Sequence, residues 1–160
     1  IDRDKIVVLW VGGADSSTLV YFYLNKGHEV YPISFHYGQR HEKELSYMQK
    51  HYEYLKNIGG NKIHEPKIVN MSFLSNLLKS TLTGHGEISE GLYTEESQKQ
   101  TVVSNRNAIL LLIAFGYAIS IKAHRSDYAI YPDCHPEFVS AFQKAMLLGN
   151  YEKVSYKLHS

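Results

Sequence analysis

The segment that constrains this chain most is Lys5-Ile-Val-Val-Leu-Trp10, which runs almost directly into Gly12-Gly13. An unbroken apolar run stopped by glycines fits a strand buried on both faces, and such strands belong to parallel sheets. A helical pattern follows from Asp15, with Leu19, Val20, Tyr23 and Leu24 on one face and Gly27 where a C-cap glycine belongs. Glu29 to Phe35 reads as a second strand, although Pro32 is unusual inside one. From about His41 to Ile58 a second helix is expected, because Leu45, Met48, Tyr52 and Leu55 recur at helical spacing before Gly59-Gly60. Ile63 to Met71 reads as a third strand. The order β-α-β-α-β predicts an α/β fold with a parallel sheet and right-handed crossovers.

Residues 79 to 101 are polar, carry Gly84, Gly86 and Gly91, and read as a loop or mobile lid. Asn107 to Ile121 is apolar almost all round and predicts a buried helix. A last helix is expected from Pro136, a favoured first helical position, with Phe138, Ala141, Phe142, Ala145 and Leu148 as its buried face. Glu152 to Leu158 alternates as a strand does. The whole chain, 1–160, is expected to form one domain. With 17 Lys and Arg against 16 Asp and Glu, the net charge of +1 offers no field for a nucleic-acid or membrane partner. Cys134 is the one cysteine, which excludes an intrachain disulfide. The sequence contains no apolar run near the ~20 residues of a membrane span, so a cytoplasmic setting is expected.

Four segments carry chemistry. The first is Trp10-Val-Gly-Gly-Ala-Asp-Ser-Ser-Thr18, joining the first strand to the first helix. A glycine turn there exposes backbone N–H groups, the helix N-terminus adds partial positive charge, and Ser16, Ser17 and Thr18 add hydroxyls. The segment would cradle a phosphate, yet it has no Lys after the glycines and is not GxGxxG. A tight turn with Asp15 capping the helix explains the same residues. The second is Phe35-His-Tyr-Gly-Gln-Arg-His41, after the second strand, where a polar connection with Arg40 in solvent is the plainer alternative. The third is Val102-Val-Ser-Asn-Arg-Asn107 at the start of the apolar helix. An Arg near a helix N-terminus is electrostatically misplaced unless an anion is near, although it can also simply snorkel. The fourth is Asp127-Tyr-Ala-Ile-Tyr-Pro-Asp-Cys-His-Pro-Glu-Phe138, with two prolines stiffening the loop into the last helix. Cys134 beside His135 suggests a nucleophile, but sequence neighbours seldom form a catalytic pair, and a lone Cys is more often a small buried hydrophobe.

The first segment resembles the Ser-Gly-Gly-x-Asp-Ser pyrophosphate loop of the N-type ATP pyrophosphatases, with Val11 in the place of the leading Ser. Together the four segments resemble the 7-cyano-7-deazaguanine synthases. The matches are Gly-Gly-x-Asp-Ser at 12–16, Tyr-Gly-Gln-Arg-His at 37–41, Val-Val-x-x-Arg-Asn at 102–107 and Tyr-Pro-Asp-Cys-x-Pro-Glu-Phe at 131–138. They occur in the family's order and span nearly the whole chain.

The resemblance implies a Rossmann-like parallel sheet with flanking helices, of the adenine nucleotide alpha hydrolase-like kind. It also implies ATP-dependent conversion of 7-carboxy-7-deazaguanine and ammonia to the nitrile, through an adenylated carboxylate and an amide. Trp10, Val11, Gly12, Gly13, Ala14, Asp15, Ser16, Ser17 and Thr18 would then meet ATP, with Mg²⁺ partly neutralising its phosphates. Asp15, Arg106 and Asp133 are the candidate catalytic residues. Tyr37, Gln39, Arg40, Asn107, Tyr131, Asp133, Glu137 and Phe138 are candidates for the deazapurine. A carboxylate suits the N1–H and amino edge of a guanine-like base, an aromatic ring suits its face, and an arginine suits phosphate or carboxylate. The family also implies a lobe with four zinc-binding cysteines, whose ligands are absent here, a strand between the apolar helix and the Tyr-Pro-Asp-Cys loop, for which 119–127 leaves little room, and a possible homodimer. Direct nucleic-acid or membrane binding is not expected. A related enzyme activating another carboxylate, or a non-catalytic nucleotide-binding subunit, are the alternatives.

Overall fold

The computed structural model describes residues 5–10, 13–36, 42–73, 106–123, 125–127, 136–149 and 157–159. The expected lid at 79–101 lies outside the described residues, as do Cys134 and His135.

The apolar run becomes β1 (Lys5–Leu9), with Ile6, Val7, Val8, Leu9 and Trp10 all buried. Alternation sends these side chains to two cores. Ile6, Val8 and Trp10 join Val20 and Tyr23 of α1 (Ala14–Asn25) and Met48, Tyr52 and Leu55 of α2 (Glu42–Gly59). Val7 and Leu9 join Leu110, Leu111, Ala114, Phe115 and Ala118 of α3 (Arg106–Ser120) on the opposite face. Helices therefore cover both faces of the sheet. Each fully buried Ile, Leu or Val contributes about 1.5–3 kcal/mol as an upper bound.

β2 (Glu29–His36), β3 (Lys67–Asn70), β4 (Arg125–Asp127) and β5 (Lys157–His159) complete the sheet. Its order is β3-β2-β1-β4-β5, and every pairing is parallel. The strand order reverses between β1 and β4, and in such sheets ligands bind outside the carboxyl ends of the strands at that point.

Pro32 fits because of a break in the ladder. His64 N–H donates to Val30 O at 2.9 Å and Met71 N–H to His36 O at 2.7 Å, so even-numbered residues of β2 direct their backbone groups toward β3. The Pro32 nitrogen thus faces residues 64–66, between the Val30–Ile63 bridge and the first β3 pair, Ile33–Lys67. The register shifts by one residue there, a bulge-like interruption, with Pro66 next to Lys67. The expected strand at 63–71 is therefore a single bridge followed by a four-residue strand.

α1 ends at Gly27 (φ +86°), where Gly27 N–H donates to Leu24 O at 2.9 Å and His28 N–H to Tyr23 O at 3.0 Å. These are the two bonds of a Schellman turn, and the edge-on Tyr23–His28 ring contact supplies its usual apolar contact. α3 ends the same way without glycine. Lys122 takes φ +57°, its N–H donates to Ile119 O at 3.0 Å, and Ala123 N–H donates to Ala118 O at 2.8 Å. This compact turn is why 119–127 holds both a helix end and β4.

α4 (Pro136–Leu148) starts at the expected proline, but its packed face differs from the one expected. Val139 is buried, with Phe142, Met146 and Leu147 packed on the core, while Ala141, Ala145 and Leu148 are exposed. Two apolar stripes compete on this helix. The stripe with larger side chains buries more area, and two alanines offer little. Of the last expected strand, Leu158 lies in β5, and 152–156 fall outside the described residues. No helix among the described residues is long and apolar enough to cross a membrane.

Candidate functional site

β1 delivers the chain at Trp10 to the carboxyl edge of the sheet, and α1 starts back from that edge at Ala14. Gly13 is the N-cap, extended (φ −76°, ψ 168°) and without a side-chain cap. A helix start without a side-chain cap leaves N–H groups for another acceptor, beside the positive end of the helix dipole. Val11 and Gly12 lie outside the described residues.

The candidate residues of α1 fall into two groups. Ala14, Asp15 and Thr18 are exposed. Ser16 and Ser17 are 2% and 5% exposed, an unusual burial for serines. Asp15 supplies a carboxylate in the first turn and does not cap the helix from Gly13's place. Trp10 is 0% exposed, so it contributes no surface of its own to a ligand. Its backbone is held from β2: Trp10 N–H donates to Ile33 O at 2.9 Å, and Ser34 Oγ donates to the Trp10 carbonyl. Ser34 Oγ also lies 3.1 Å from Met48 Sδ, tying the end of β1 to α2. Ser34 belongs to no motif. Its only signal in the sequence is a polar residue between Ile33 and Phe35 in an otherwise apolar run.

Arg106 and Asn107 open α3, which packs against β1 and β4. α3 runs down to a β4 that starts five residues after it, so its first turn lies toward the same carboxyl edge as α1's. β4 reaches that edge at Asp127, paired with Val8 of β1. Glu137 and Phe138 lie exposed in the first turn of α4, and the Phe138 ring sits 5.9 Å from that of Phe142. The topology thus gathers Trp10 and the α1 start of the first segment, the last two residues of the third and the first residue of the fourth near the β1–β4 switch. Tyr37, Gln39, Arg40, Tyr131 and Asp133 lie outside the described residues.

A 560 Å³ groove runs along α4, lined by residues such as Ser140, Gln143 and Lys144. Among the described residues no group of three or more His, Cys, Asp or Glu side chains could hold a metal ion. A four-cysteine zinc site does not fit a sequence with one cysteine.

Comparison with known proteins points one way. Residues 5–159 match the family model described as queuosine biosynthesis protein QueC. A 7-cyano-7-deazaguanine synthase from Caldicellulosiruptor saccharolyticus is 46% identical over 158 residues, 94% of this chain and 67% of that protein. The enzyme of the same name from Pseudoalteromonas atlantica is 44% identical over 158 residues, covering 94% and 69%. That from Archaeoglobus fulgidus is 44% identical over 154 residues, covering 91% and 62%. The chain thus spans about two thirds of the length of these curated relatives. Among solved structures, a 4-thiouridine synthetase–RNA complex with bound ATP superposes with a TM-score of 0.51 at 16% identity, covering 98% of this chain and 46% of that one. That likeness establishes the shared fold.

Proposed function

The chain belongs to the family of the queuosine biosynthesis protein QueC, and from that membership we infer that it makes 7-cyano-7-deazaguanine from 7-carboxy-7-deazaguanine and ammonia with ATP. The observation that carries this reading is the place of the Gly13–Thr18 turn: a helix start without a side-chain cap, beside the β1–β4 switch of a parallel sheet. Backbone N–H groups at such a start suit the phosphates of ATP. The ATP-bound synthetase of the same fold is consistent with a nucleotide there.

The chemistry runs in two rounds. A carboxylate oxygen attacks the α-phosphorus of ATP and pyrophosphate leaves. Ammonia adds to the acyl adenylate, AMP departs with that oxygen, and the amide remains. The amide oxygen attacks a second ATP in the same way. Loss of the second AMP and of two protons over this round gives the nitrile. In this reading the α1 start holds the pyrophosphate, and Arg106 and Arg40 meet the charge of phosphate or carboxylate. Tyr131, Asp133, Glu137 and Phe138 hold the deazapurine, together with Tyr37, Gln39 and Asn107. Mg²⁺ would accompany ATP and offset its charge, and Asp15 is the exposed carboxylate at the loop that suits it. The chain 1–160 acts as one domain, and a homodimer is compatible with this chemistry.

Mass spectrometry of the protein incubated with ATP, Mg²⁺, the carboxylate and ammonium tests the reading. Nitrile forming only when all are present is the expected result. A carboxylate that stays untouched overturns it.

A further inference from the structure

The first five residues of α1 hold three hydroxyls, and they differ in what each does with its proton. Thr18 Oγ1 donates to Ala14 O at 2.8 Å, and Ser16 Oγ donates to Gly13 O at 3.2 Å. Both hydroxyls are committed to the helix's own carbonyls. Ser17 Oγ instead accepts, from the indole Nε1–H of Trp10 at 2.9 Å, inside the core. A serine hydroxyl has one proton and two lone pairs. With the indole filling one lone pair, the Ser17 proton is left for an acceptor other than Trp10. Among the described residues no acceptor takes it, although Ser17 is 95% buried, a costly position for an idle donor.

Trp10 is anchored well enough to impose this. Its N–H is bonded to Ile33, its carbonyl accepts from Ser34, and its ring is enclosed in the cluster of Ile6, Val8, Val20 and Met48. A fully buried ring does not touch nucleotide, so any part it plays at the loop goes through Ser17.

We propose that Trp10 is a positioning residue, whose indole N–H fixes the Ser17 hydroxyl as a donor to an anionic oxygen of the nucleotide's pyrophosphate. This rests on reading 10–18 as the pyrophosphate loop. The outcome is that one of the three hydroxyls is reserved for the ligand by a residue the ligand never meets.

A double-mutant cycle on the full chain separates the two ideas. Trp10→Phe keeps a buried ring and removes the N–H, while Ser17→Ala removes the hydroxyl. ATP–Mg²⁺ affinity is measured by titration calorimetry. Ser17→Ala should weaken binding about tenfold, as expected for a hydrogen bond to a charged group. Trp10→Phe should weaken it several-fold alone and leave the Ser17→Ala affinity unchanged. An unaltered affinity in Ser17→Ala overturns the loop reading itself. An effect of Trp10→Phe that is nil, or equal in both backgrounds, makes Trp10 merely structural and overturns this inference alone. A second readout needs no Trp10 variant, because Trp10 is the single tryptophan. Saturating ATP–Mg²⁺ should shift its emission in the wild type and not in Ser17→Ala, and an unshifted wild-type spectrum contradicts the proposal.

Discussion

Glu29 shows how single side chains close the edge of the sheet opposite the loop. Its Oε1 accepts from Tyr31 OH at 2.8 Å and lies 2.6 Å from His64 Nε2, and the Tyr31 and His64 rings stack with centroids 3.8 Å apart. The group bridges β2 to residue 64, where the Pro32–Pro66 interruption leaves the ladder incomplete. Partial burial raises the Glu29 pKa, but the hydrogen bonds from Tyr31 and His64 and the charges of His64 and Lys5 outweigh it, so the net shift is downward. A depressed carboxyl pKa stabilises the fold above the unfolded value and loses that contribution as pH falls through the folded one. Burial first, and then the bond to Glu29, push Tyr31 up to about 12. A raised phenol pKa stabilises the fold below the ordinary value of 10, and that stability is lost as pH rises toward about 12. Urea midpoints measured across pH should therefore show a shallower acid limb in Glu29→Gln and a shallower limb above pH 10 in Tyr31→Phe. Limbs identical to the wild type would refute the trio's part. None of these residues belongs to a motif, because a contact between residues 29 and 64 is decided by strand pairing and leaves no local signature. The reverse holds for the loop, where Gly-Gly-x-Asp-Ser is legible from spacing alone.

Among the elements, those with one dominant apolar stripe were the easiest to read. Leu45, Met48, Tyr52 and Leu55 place α2 and its buried face together, and the packing agrees. α4 was harder, because its two stripes are both apolar and burial chose the bulkier one. Val139→Ala should then cost about 1–3 kcal/mol in urea unfolding. Leu148→Ala, at a position 77% exposed, should stay within ~0.5 kcal/mol. Equal costs would place the helix differently. The end of α3 was illegible for another reason: a left-handed Lys122 carries no glycine flag. A non-glycine residue in that conformation costs roughly 1 kcal/mol, so Lys122→Gly should raise stability by about 0.5–1 kcal/mol despite glycine's larger unfolded-state entropy. A destabilised variant would mean that the Lys122 side chain contributes more than its backbone costs.

At the scale of the whole molecule, the order of strands could not be read from any one segment. The motifs come in chain order, whereas β4 enters the sheet beside β1 and not at an edge. That placement reverses the winding direction and sets the α1 start, the α3 start and the end of β4 around one edge of the sheet. Whether this edge adenylates a carboxylate is read by following the oxygen. With 7-carboxy-7-deazaguanine labelled with ¹⁸O at both carboxylate oxygens, adenylation followed by displacement must carry each oxygen away on a separate AMP. The expected product is AMP bearing one ¹⁸O in its phosphate, two molecules for each nitrile. Unlabelled AMP, or cleavage of ATP to ADP, would contradict it.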